Sequence, residues 1–203
     1  MFSFRFEPYL AGIFVLLIAS SLVGDVFAAE PADCPKIIRR EQWGAQKSTN
    51  VTYQVKPVQY VVIHHTATGS CDEVPICKNV VRSIQDAHQT MNKWSDIGYN
   101  FLIANGGGIY EGIGWHRVGA HTRGYNSKSI GIAFIGDYSE ELPSAKALRN
   151  AGKLLRCGVA LGELDPEYIL YGARQLSATA SPGDALFAEI QEWDQFDASK
   201  RFG

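Results

Sequence analysis

Two adjacent histidines, His64 and His65, close the apolar run Tyr60-Val61-Val62-Ile63. Imidazoles at the end of a buried strand suit three kinds of chemistry: ligation of zinc, proton transfer, and the clamping of a polar ligand. Further along stand His88, Trp94 and Tyr99. A glycine-rich stretch, residues 112–128, then carries His116, Arg117, His121, Arg123, Tyr125 and Asn126. Polar and aromatic side chains on so long a loop point to binding. Hydroxyls at Thr179 and Ser181 lie in a late small-residue loop, residues 176–183. The question is whether this set cuts a ligand or only holds it.

The elements that must position these groups follow from periodicity. Residues 58–64 are rich in β-branched and apolar side chains, the pattern of a strand buried on both faces. Val80, Ile84, Ala87, Met91 and Trp94 fall at helical spacing, widened by Val81 and His88, so a helix is predicted over 80–94. Strands are predicted at 99–104 and 109–111, joined by the tight turn Asn105-Gly106-Gly107-Gly108, and again at 130–136 and 169–171. Helices are predicted over 145–161 and 184–193. Residues 29–58 read as an irregular arm with Trp43-Gly44 as a hydrophobic plug. No repeat, low-complexity tract or linker interrupts the chain, and the interleaved strands and helices predict a single α/β domain with one central sheet.

The chain opens with Arg5, then an almost wholly apolar stretch over 10–26, then small residues at Val26-Phe27-Ala28-Ala29. This predicts a secretory signal over 1–28 with cleavage after Ala28, and a mature domain over 29–203. Asp25 and the small-residue exit favour cleavage over a membrane anchor, and no later segment is long enough to cross a bilayer. The product is expected to be secreted and extracellular. The formal net charge of −2 argues against nucleic acid and anionic lipid as partners.

Four cysteines follow the signal: Cys34, Cys71, Cys77 and Cys157. An even count in an oxidising compartment implies two disulfides, with three possible connectivities. Cys71 and Cys77 bracket a short loop and are paired on that ground; Cys34 and Cys157 remain to pin the arm to a later helix. Chain entropy assigns ~2.4 kcal/mol to the short loop and ~5 kcal/mol to the long one. The spacings fit no compact zinc motif. Asn50-Val51-Thr52 is a glycosylation sequon, which places Asn50 at the surface.

Six stretches in order now point one way: residues 60–66 (YVVIHHT), 96–101 (DIGYNF), 110–112 (YEG), 119–122 (GAHT), 129–136 (SIGIAFIG) and 181–183 (SPG). Together they closely resemble the peptidoglycan recognition protein family, related to zinc-dependent N-acetylmuramoyl-L-alanine amidases, and in particular its short secreted, Gram-positive-sensing members. The resemblance covers residues 34–193. It implies a mixed central β-sheet flanked by helices with a ligand cleft over the sheet. In amidase members two histidines and a cysteine hold zinc, and a tyrosine supports the transition state.

Carried over residue by residue, the first ligand is His64 and the tyrosine is Tyr99. The second ligand follows a glycine in a Gly-His-Arg run, which reads Gly172-Ala173-Arg174 here. The third is a cysteine before Pro-Gly, which is Ser181 before Pro182-Gly183. A methyl donates no electron pair and a neutral hydroxyl is a poor substitute for thiolate, so the expectation is no metal, no cofactor and no amidase activity. What remains is a cleft that the resemblance lines with His64, His65, Thr66, His88, Trp94, Tyr99 and His121, with Arg117 and Asn126 added from the loop. Its ligand is bacterial peptidoglycan, as a muramyl peptide.

Members that prefer diaminopimelate-type peptides commonly carry Gly-Trp at the place of Lys93-Trp94, and an arginine between the glycines matching Gly112 and Gly114. That place holds Ile113 here, which tips the expectation toward lysine-type peptidoglycan. The resemblance also implies a partner, a second recognition protein upstream of an extracellular protease cascade leading to Toll-type signalling. Two enzymatic readings stand beside this one. In the first, Ser181 with Thr179 and a histidine of the His64-His65 pair trims the stem peptide without metal, although no oriented acid and no nucleophile-elbow motif is visible. In the second, a residual zinc amidase uses substitute ligands.

Overall fold

The computed structural model describes Met1 and residues 34–202. The predicted signal beyond Met1, its cleavage site and the first residues of the predicted domain lie outside the described residues. Six strands form one sheet: β1 (Ile37–Ile38), β2 (Val58–His65), β3 (Phe101–Ile103), β4 (Ile109–Glu111), β5 (Ser129–Phe134) and β6 (Leu164–Gly172). Their spatial order is β1-β4-β3-β5-β2-β6, and every neighbouring pair is parallel except the β3–β4 hairpin. The sheet is therefore mixed. Among the described residues four α-helices, α1 (Arg40–Trp43), α2 (Val74–Thr90), α3 (Ala145–Ala160) and α4 (Asp184–Ile190), and a 3₁₀ turn at Ala173–Gln175 complete the fold.

Strand alternation divides the core. Val61 and Ile63 of β2 join Ile130, Ile132 and Phe134 of β5 against α3 and α4, through Ala147, Ala151, Leu154, Leu186 and Ile190. On the opposite face α2 covers the β4–β3–β5 half, with Cys77, Val81 and Ile84 packed on Leu102, Tyr110 and Ala133. Over β2 the same face carries Val62 and a smaller cluster with Tyr171, Ala173 and Leu176. α2 thus stops short of β2, and the face beside His64 is left to loops.

Trp43 is fully buried, and its indole donates to the Glu111 carbonyl at 2.8 Å. The plug read from the sequence is real, and the arm around it is more regular than expected, since it contributes β1 and α1. Ser144 caps α3 by accepting from the Ala147 amide at 3.1 Å, worth ~1 kcal/mol. Both disulfides pair as expected, Cys34 with Cys157 and Cys71 with Cys77.

Several boundaries differ from the periodic reading. α2 begins at Val74 because Pro75 sits in its first turn, where a missing amide hydrogen costs nothing. It ends at Thr90, and Lys93 takes a left-handed φ of 59° that turns the chain back. Met91 is therefore exposed, not on the apolar stripe, and Trp94 reaches the site from a loop. β6 runs from Leu164, well before the expected 169, with a register shift against β2 between Val58 and Tyr60. α4 ends at Ile190, short of the expected 193.

Candidate functional site

The site grows from the end of β2. Neighbours on a strand point to opposite faces, so His64 and His65 part company. His64 faces the side that α2 leaves open. Its Nε2 lies 3.3 Å from His121 Nδ1 and 3.2 Å from Thr122 Oγ1, and His121 Nδ1 lies 3.1 Å from the same hydroxyl. On its other flank the His64 ring meets Tyr99 at 5.4 Å between centroids. Tyr99 meets His88 at 5.5 Å, and His88 meets Trp94 at 4.7 Å. Six side chains from β2, α2 and two loops make one continuous row: Trp94, His88, Tyr99, His64, His121, Thr122.

Two glycines make room for it. A Cβ on Gly131 of β5 would stand 2.5 Å from the His121 ring, and one on Gly98 would stand 2.7 Å from the Trp94 ring. Both distances are below any real carbon–carbon contact. Gly98 also donates its amide to His88 Nδ1 at 3.0 Å, which fixes that ring. Asn126 accepts from the Thr122 amide at 2.7 Å and so braces the loop behind the row.

Burial sets the charge of these groups. It drives the His64 imidazole well below its ordinary value of 6.5, helped by His121 and His65. It takes His88 down to about 4 and His121 down to about 3. It pushes Tyr99 up to about 12. At neutral pH the row is therefore a line of uncharged donors and acceptors. His121 Nε2 is buried inside the protein, and the Ser129 main chain acts on this ring in the direction of a hydrogen bond.

The other expected residues fall elsewhere. His65 Nδ1 accepts from the Tyr138 amide at 3.2 Å and lies 3.6 Å from Asp137. The Thr66 hydroxyl accepts from the Gly136 amide at 3.0 Å and pairs with Thr68 at 2.7 Å; half-exposed, it borders the strand end. Arg117 is not in the row. Its guanidinium donates to the Ile113 carbonyl and the Ser48 hydroxyl, both at 3.0 Å, and lies 3.9 Å from buried Asp96, which also pairs with Arg40 at 2.8 Å. Its charge is largely committed to tying the arm to the loop. Asn50 is exposed. Thr122 was missed as a site residue; its place next to His121 was the only sequence signal.

The Ser–His arrangement for peptide trimming is not formed. The Ser181 hydroxyl accepts from the main-chain amide of His65 at 3.0 Å, and the Thr179 hydroxyl accepts from the Ser181 amide at 3.2 Å. Among the described residues no imidazole nitrogen bonds to the Ser181 hydroxyl. A catalytic zinc needs about three protein ligands and an open position for water. Ile63 pairs with Gly172, so the next residue, Ala173, sits beside the end of β2, fully buried and offering only a methyl. Among the described residues no three His, Cys, Asp or Glu side chains gather in an arrangement that could hold a metal ion. The donors present do not fit that ion.

Comparison with known proteins bears on what such a row holds. The family model for N-acetylmuramoyl-L-alanine amidase (Amidase_2) matches residues 54–184. Peptidoglycan-recognition protein 2 of Holotrichia diomphalia is 50% identical over 165 residues, spanning 81% of this chain and 88% of its own length. Peptidoglycan-recognition protein SA of Drosophila melanogaster is 47% identical over 182 residues, spanning 90% of each chain. The solved structure of the Drosophila SA protein superposes with a TM-score of 0.80 at 48% identity, covering 81% of this chain and 95% of that one. That of peptidoglycan recognition protein LE, in complex with tracheal cytotoxin, a monomeric diaminopimelic acid-type peptidoglycan, gives 0.79 at 46% identity, covering 79% and 95%.

Proposed function

Because this chain belongs to the peptidoglycan-recognition protein family, of N-acetylmuramoyl-L-alanine amidase fold, we propose that it binds bacterial peptidoglycan and does not cleave it. The observation that carries the reading is the contrast at His64. One flank keeps a complete row of uncharged ring and hydroxyl groups; the other offers Ala173 and an already engaged Ser181. A muramyl peptide presents amides, hydroxyls and sugar faces. Neutral imidazoles can donate to and accept from such groups without desolvating a charge, and Trp94 and Tyr99 supply flat apolar faces.

Bound zinc would polarise the scissile carbonyl and activate water. This chain's own residues do neither: they orient the ligand, and the hydroxyl at Ser181 is spent on the His65 amide. The protein is then a pattern-recognition receptor of innate immunity, secreted after loss of residues 1–28. It passes its signal to a second recognition protein ahead of an extracellular protease cascade of the Toll type. Lysine-type peptidoglycan is the preferred ligand. Ile113 is buried and apolar, and the nearby Arg117 is held by Ser48 and Asp96, so no free cation is offered there to the extra carboxylate of diaminopimelate. Among the described residues no helix is long and apolar enough to cross a membrane.

The test is to measure, on one sample of residues 29–203, binding to lysine-type and diaminopimelate-type muramyl peptides together with zinc content and peptide release. Tight lysine-type binding with neither zinc nor release supports the reading. Zinc-dependent release would end it, and metal-independent trimming abolished by Ser181→Ala would replace it with the peptidase.

A further inference from the structure

At the opposite edge of the sheet lies an open groove of about 660 Å³, walled by the N-terminal arm, the start of α2, the β3–β4 turn and α3. Four lysines line it from three separate elements: Lys36 from the arm, Lys78 from α2, and Lys146 and Lys153 from α3. Among the described residues Asp72 is the one carboxylate in the lining, and it accepts from the Asn105 side chain at 2.9 Å. Among the described residues Lys36, Lys78 and Lys146 form no ion pair, and the first turns of α2 and α3 carry no acidic residue, Glu73 preceding the first of them. In a chain whose net charge is −2, this is a local concentration of positive charge. Clefts lined by one sign focus the field and steer oppositely charged groups inward.

We propose that this groove docks an acidic segment of a protein partner. Between the lysines the lining offers apolar surface at half-buried Ile38 and at Val74, which is 44% exposed, beside the polar Gln42 and Asn150. Such a surface suits a peptide that sets an apolar side chain among carboxylates. Among the described residues no arginine lines the groove, whereas phosphate-bearing polyanions are held best by the guanidinium fork; the lining therefore favours carboxylates over a phosphodiester. The groove borders β1 and β4, and His64 stands on β2, three strand spacings from β4, or about 14 Å. Both sites can be filled at once. The inference rests on the charge and shape of the groove alone and stands apart from the reading of the cleft.

The test uses the secreted chain and a fluorescein-labelled peptide of alternating glutamate and leucine, followed by anisotropy at low ionic strength. Matched lysine–leucine peptide and inorganic polyphosphate serve as rival probes, and muramyl-peptide binding is measured in parallel. The acidic peptide should bind. Replacing Lys36, Lys78 and Lys146 together by Gln should weaken it by at least about tenfold, as expected for loss of charge complementarity. Replacing the three by Glu should favour the lysine–leucine peptide instead, with thermal stability and muramyl-peptide binding unchanged in both variants. Absence of acidic-peptide binding, an affinity unmoved by the triple variants, or a preference for polyphosphate would each overturn the proposal.

Discussion

The two flanks of His64 have diverged. Toward Tyr99 and His121, each ring touches the next and two glycines keep the space for them. Toward Gly172 and Pro182, the side chains are a buried methyl and a hydroxyl taken up by the backbone. On the proposed reading, recognition and metal chemistry would share one histidine, yet depend on different neighbours. One set can therefore be lost without disturbing the other. A cleft built from uncharged, burial-tuned groups needs no ion to stay assembled.

The strongest way to break this contrast is to rebuild the flank at positions 173 and 181. Ala173→His combined with Ser181→Cys should raise zinc affinity by ~10⁴- to 10⁶-fold if ligand contributions add, since four-ligand structural sites bind with ~10–16 kcal/mol. Metal analysis and calorimetric titration check this. Affinity unchanged in a folded double variant would show that the flank is spoiled by more than two side chains.

Acid attacks the surviving flank. His64, His88 and His121 all titrate below 6.5 in the folded chain and near 6.5 when unfolded. Between these values the unfolded state binds more protons, so stability rises with pH there. The stabilisation is fully present above about 6.5 and is lost as pH falls toward 4 and then 3. The slope is up to ~1.4 kcal/mol per pH unit for each imidazole, less for half-exposed His88. Thermal melts from pH 7 to 4 measure it; a His121→Gln variant should show a shallower fall.

Within the row, His121→Ala removes the ring that meets His64 edge-on and should weaken muramyl-peptide binding by ~10- to 100-fold. Gly131→Ala should do much the same from a distance, because its Cβ collides with the His121 ring, at ~1–3 kcal/mol of stability. Calorimetry on both variants sharpens the claim that the sheet holds the ring. The smallest effect is one of preference. Ile113→Arg should shift the ratio of diaminopimelate-type to lysine-type binding by a few-fold toward the former, since an exposed charge pair contributes little and the side chain must leave a buried position.

Much of this was legible in the sequence. The buried strand before His64, the start of α3, both disulfides and the residues at positions 173 and 181 all announce themselves through patterns local in sequence or through the family resemblance. What was hidden depends on tertiary contact. Periodicity extended α2 through Met91 and Trp94, because nothing local reveals that Lys93 turns the chain with a positive φ. Arg117 reads as a ligand-facing cation until Asp96 and Ser48 are seen to hold it. The peptidase idea needed an imidazole beside Ser181, and only the alternation of β2 shows that a backbone amide stands there. Gly131 looks like any glycine in a strand until the His121 ring is placed above it.

The most direct measurement is to saturate the purified chain with zinc, add a lysine-type muramyl peptide, and follow bound and cleaved ligand in the same sample by mass spectrometry. The account predicts stoichiometric binding of intact ligand with no release of peptide from muramic acid. Accumulation of the free peptide in a zinc-dependent manner would contradict it.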